Sequence, residues 1–130
     1  MTALDDAKIH LMKAREYLEA ADLANDHELY DSAISSAATS GVNSKDAICL
    51  KLTGSSTKTT KHADAVGELQ AAGSMSKHAA ATDRLAGLLD QLLAVKNRAQ
   101  YAAFRFNHDD AAMAISQAQE LLSGAIKIVN

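Results

Sequence analysis

The sequence predicts an all-α protein, an antiparallel up-down bundle of four long helices plus one short helix, in a single domain spanning residues 1–130. Three observations carry this reading. The chain contains no proline, the residue that breaks helix interiors. Ala, Leu, Lys, Glu and Gln are abundant, all of them good helix formers, whereas runs of β-branched and aromatic residues that would build strands are missing. Apolar residues recur at spacings of three, four and seven, the mark of helices with one buried face. Aromatic residues make up only 4% of the chain, so the core has to be built from Leu, Ile, Val, Met and much Ala. Such a core buries little area per contact, and a partner subunit is one way to supplement it.

The elements follow in order. Helix 1 is expected from about Ala3 to Ala24, with Leu4, Leu11, Ala14, Leu18 and Ala21 as its stripe, Thr2 as N-cap, and Asp5 and Asp6 in the first turn, where the helix dipole favours negative charge. Helix 2 is expected from Glu28 to Leu52. Its apolar face is Tyr30, Ile34, Ala37, Gly41, Ile48 and Leu52, and its middle is a run of small residues around Gly41. Glycine inside a helix costs roughly 1 kcal/mol relative to Ala, so close packing against a neighbour is the expected compensation, and this segment is predicted to lie at the centre. Gly54 to Thr60 reads as a loop. A short helix 3 spans about Lys61 to Ala71, with Ala65, Val66 and Leu69 inward and Gly73-Ser74 as its stop. Met75 to Lys77 is a second loop. Helix 4 runs from His78 to Phe104 or beyond, on a stripe of Leu85, Leu88, Leu89, Leu92, Val95, Ala99 and Ala102. Asn107 or Asp109 caps helix 5, which runs to Val129 with Ala111, Ile115, Ala118, Leu122 and Ala125 inward.

Charge and cysteine content exclude several classes. The net charge is −3 and the pI about 5.9, without the basic excess of a general nucleic-acid binder, so any such site must be a local patch. Cys49 is the only cysteine, which rules out an intrachain disulfide and fits a reducing, cytoplasmic setting. The first residues lack the basic start and apolar run of a signal peptide, and no apolar stretch approaches a membrane span. No His-x-x-His, His-x-x-x-His or Cys-x-x-Cys spacing occurs, so no metal site and no cofactor is expected. Gly54-Ser55-Ser56-Thr57 lacks the spacing and the Lys-Ser/Thr ending of a phosphate loop.

Several local signatures fall in a familiar order: Lys13-Ala14-Arg15-Glu16-Tyr17-Leu18, then Tyr30-Asp31-Ser32-Ala33, then Lys45-Asp46-Ala47-Ile48-Cys49-Leu50. His62 opens the short helix, Val95-Lys96-Asn97-Arg98-Ala99-Gln100-Tyr101 ends the Leu-rich helix, and Asp109-Asp110-Ala111 opens the last one. Over nearly the whole chain this order resembles the HEPN domain (higher eukaryotes and prokaryotes nucleotide-binding). The resemblance implies a homodimer whose motif helices face one cleft, and RNA or a nucleotide as ligand. Many members are metal-independent ribonucleases, often toxins, with an Arg followed after four to six residues by a His. Here Lys96 stands where the Arg would be and Tyr101 where the nearest-spaced His would be. Arg98 and His108 are separated by nine residues, beyond the family spacing.

These departures make a non-catalytic HEPN-like domain the leading expectation, binding RNA or a nucleotide through Asn97, Arg98, Tyr101 and Arg105. Taking Leu92 as the centre of the buried stripe, Lys96 falls about 40° away at the core border. Asn97, Arg98, Tyr101, Arg105 and, if the helix continues, His108 fall opposite, three or four residues apart. Arg binds phosphate bidentately and a Tyr ring stacks on a base; the plainer alternative is a solvated outer face. Two other functions remain open. One is an active ribonuclease toxin using Lys96, Asn97 and His108, with a cognate antitoxin or nucleotidyltransferase as partner. The other is a protein-interaction bundle without ligand. His10, His27, His62 and His78 read as scattered surface or helix-end residues, Asp109-Asp110 as a capping pair, and Cys49 as a small buried residue.

Overall fold

A computed structural model describes residues 2–57 and 61–130. Its five helices are α1 (Ala3–Asp26), α2 (Tyr30–Thr53), α3 (His62–Gly73), α4 (Ala79–Tyr101) and α5 (His108–Val129), with no strand among the described residues. Pairs of contacting residues give the topology. His10 meets Asn43 at 2.8 Å and the Ser40 hydroxyl donates to the Ala14 carbonyl at 2.7 Å, so α1 and α2 run antiparallel. Arg84 pairs with Glu120 and Gln91 with Gln117, so α4 and α5 do as well. Gln100 reaches Ser35 while Leu92 lies against Gly41, which makes α2 and α4 antiparallel too.

The helix ends obey local chemistry. Thr2 caps α1 in a reciprocal box with Asp5, and its hydrogen bonds hold the exposed Asp5 carboxyl below its ordinary value. Of the two candidate caps for α5, it is Asn107 that does the work, boxed with Asp110. Gly54 closes α2 in the left-handed conformation at φ 82, which glycine adopts without steric cost. The turn between α1 and α2 is tight enough to force Glu28 to φ 62, uncommon for a residue with a side chain.

The small-residue segment lies where expected. A Cβ on Gly41 would come within 2.8 Å of Leu92 and 3.2 Å of Leu121, so α4 and α5 both press onto the middle of α2. Around it, Ile34, Ala37, Ile48, Leu69, Leu85, Leu89, Leu92, Ala118 and Leu121 are fully buried in one apolar cluster to which every helix contributes. Two stripe assignments fail: Leu4 is 39% exposed and Ala102 is exposed. The loop over Gly54 to Thr60 holds for Gly54–Thr57; Lys58, Thr59 and Thr60 lie outside the described residues. Among the described residues no helix is long and apolar enough to cross a membrane.

The largest departure from expectation is the end of α4. The helix stops at Tyr101 and the chain turns extended at Ala102. The cause is tertiary: Phe106 tucks into the core at 8% exposure, and its backbone N–H donates to the Asp31 carboxylate at 3.1 Å. Continuing the helix would have carried that ring away from its cleft.

Candidate functional site

A cavity of about 210 Å³ opens between α2, α3 and α4. Ala38, Val42, Ala65 and Leu93 give it an apolar floor, and Thr39, Lys61, His62, Lys96 and Asn97 line the rest. Lys61 is the residue before α3 and His62 its first, while Lys96 and Asn97 lie on the penultimate turns of α4. The His62 ring is fixed from outside the cavity by Asp90, whose carboxylate lies 2.7 Å from Nε2. Lys96 makes no ion pair among the described residues, and Asn97 is likewise without a side-chain hydrogen bond there. The cavity therefore collects cationic and amide groups in a protein whose net charge is −3.

The structure regroups the residues singled out from the sequence. Lys96 and Asn97 share the cavity, so Asn97 does not belong to an outward stripe opposite Lys96. Arg98 is exposed on the neighbouring face, and its guanidinium lies 5.5 Å from the Phe104 ring and 5.4 Å from the Phe106 ring. Those contacts pin the 102–107 connection to α4. Tyr101 is 79% exposed at the last position of α4, one turn beyond Asn97. Arg105 is not on α4, because the helix ends before it; it sits exposed in the 102–107 connection. His108 is not on a continued α4 either. It begins α5, its ring edge-on to Tyr30 at 6.1 Å, and it does not line the cavity. The continuous stripe from Asn97 to His108 therefore does not form. Sequence reasoning left His62 as a helix-end residue and Thr39 unremarked. The partner of His62, Asp90, lies 28 positions away, and no local pattern announces it.

A second polar group lies on the other flank of α3. Lys45 is fully buried, with the Asp46 carboxylate at 2.6 Å and that of Glu68 at 3.4 Å. Glu68 also accepts from the Thr57 backbone N–H at 3.1 Å, from the Thr57 hydroxyl, and from the Ser56 hydroxyl at 3.0 Å. The same Ser56 hydroxyl lies 2.6 Å from the Asp46 carboxylate, so its single proton is shared between the two acids. Burial alone would lower the Lys45 value, but the hydrogen bond and charge of Asp46, with Glu68 behind it, raise it overall. Burial alone would raise Glu68; the Thr57 hydrogen bonds and the Lys45 charge bring it below its ordinary value. Burial pushes the Cys49 thiol up to about 12, so it stays protonated and unreactive near neutrality. No group of three or more His, Cys, Asp or Glu residues among those described is placed to hold a metal ion.

The matched family gives this arrangement its context. The HEPN domain family model matches residues 7–129, nearly the full length, and the chain belongs to that family of helical, nucleotide- and RNA-related domains. No curated protein matches the chain.

Proposed function

We propose that this chain is a non-catalytic, cytoplasmic HEPN homodimer that binds RNA or a nucleotide, with a phosphate of the ligand held by the lysines at the rim of the cavity between α2, α3 and α4. The observation that carries the reading is the convergence of Lys61, His62, Lys96 and Asn97 on that cavity. A half-buried cation attracts a phosphate more strongly than one in open solvent, because the local dielectric is lower. Tyr101 and Phe104, exposed beyond the cavity, supply rings on which further bases stack, and Arg105 adds a cation beside them.

A labelled single-stranded RNA followed by fluorescence anisotropy tests this. Weak binding that falls steeply with salt is expected, dropping at least tenfold in Lys61→Ala/Lys96→Ala, with the RNA recovered intact and the protein sedimenting as a dimer at micromolar concentration. One observation favours a second reading, a metal-independent ribonuclease. His62, oriented by Asp90, shares the cavity with Lys96 and is a better-placed base than His108. RNA cleavage without metal that disappears in His62→Ala would replace the binding-only function with that one. Binding indifferent to the lysine changes would move the ligand away from this cavity, and no binding at all would leave a protein-interaction bundle.

A further inference from the structure

The cavity has two chemically different parts, and a bare phosphate satisfies only one of them. Lys61 and Lys96 would hold an anion, but the floor beneath them is apolar, made by Ala38, Val42, Ala65 and Leu93. Seating a hydrated phosphate on that floor would strip water from its oxygens without giving hydrogen bonds in return, which is unfavourable. A flat aromatic ring would instead gain from leaving water there.

The walls suit such a ring. His62 presents an imidazole that Asp90 fixes at 2.7 Å, and a fixed ring stacks at little entropic cost. Asn97 offers an amide with both donor and acceptor capacity, the combination that pairs with the polar edge of a base. At about 210 Å³ the cavity is smaller than the roughly 300–1,000 Å³ of sites that engulf drug-sized ligands. It has room for one ring system and not for a folded oligonucleotide.

Resting on the nucleotide-binding reading above, we infer that the nucleotide enters base-first. A single unpaired base lies on the apolar floor against His62 with its edge toward Asn97, and its phosphate stays at the rim with Lys61 and Lys96. The ligand class is therefore a mononucleotide or one splayed-out base of a single strand. A double-stranded segment, whose bases are stacked and paired, does not fit.

The experiment compares nucleoside 5′-monophosphates with ribose 5-phosphate, which carries the same phosphate and sugar but no base, by calorimetric titration of the full chain. The monophosphates are expected to bind at least tenfold more tightly. Thr39→Phe, a change at an exposed position on the cavity wall, puts a ring over the floor. It is expected to abolish the tenfold gap while ribose 5-phosphate binding persists, with an unchanged thermal melt as the control on folding. Equal binding of ribose 5-phosphate and the monophosphates would overturn base-first insertion and leave phosphate binding standing. Failure of both ligands to bind would remove the inference together with the function beneath it.

Discussion

Lys45 and Lys96 are both lysines at helix faces that border the core, and the protein treats them in opposite ways. Lys45 is enclosed, with two carboxylates and the Thr57 carbonyl around its ammonium. Lys96 is half-buried beside a cavity and has no carboxylate within ion-pair distance among the described residues. Lys45 has its charge answered already and has nothing left to offer a ligand. Its role is to join α2, the Ser56-Thr57 segment and Glu68 of α3, and so to set where the start of α3, with Lys61 and His62, comes to rest. Lys96 keeps an unanswered charge where an anion could reach it. Burial alone does not separate a neutralised charge from an open one; the completeness of its partners does.

That contrast breaks first at Lys45. Lys45→Met strands Asp46 and Glu68 without their cation, and losing one member of a buried ion pair costs about 3–5 kcal/mol. A large fall in the urea midpoint is expected, and adding Glu68→Gln should restore at least half of it by removing the stranded charge. A single variant as stable as the parent would mean the clasp does not hold the fold.

The acid limb of stability sharpens the same point. Glu68 is held below its ordinary value near 4.5. A carboxyl lowered in the folded state contributes stability at pH values above its unfolded value, and that contribution is lost as pH falls through the folded value. As pH falls below the ordinary Glu value near 4.5, the parent should therefore lose more stability than Glu68→Gln does. Parallel pH profiles would remove Glu68 as the titrating clasp.

The smallest effect belongs to the other lysine. Lys96→Ala deletes no ion pair, so its unfolding free energy should stay within about 0.5 kcal/mol of the parent. A loss of several kcal/mol in chemical denaturation would make Lys96 structural, like Lys45.

How much of this was legible beforehand depended on the range of the forces involved. The apolar spacing of α4 and α5 is a local property, and it gave their existence and most of their buried faces; cap chemistry, equally local, gave Thr2 for α1 and narrowed the α5 cap to Asn107 or Asp109. The glycine in α2 announced a close approach, though not that Leu92 and Leu121 would be the side chains pressed against it. The stripe from Asn97 to His108 failed because propensity along α4 gave no sign of its stop. That stop depends on Phe106 finding a cleft and Asp31 accepting its N–H, 75 positions apart.

The sequence by itself thus determined an all-α chain with these helices and its membership of the HEPN family, because helix periodicity and the ordered signatures are written within short stretches. Only the tertiary structure decided which charges are neutralised and which are left open. The Lys45–Glu68 pair spans 23 positions and the His62–Asp90 pair 28. Whether a lysine is fully neutralised or keeps an open charge depends in part on carboxylates that arrive from other helices, as Glu68 does for Lys45, and their distance is set by packing and not by any spacing along the chain.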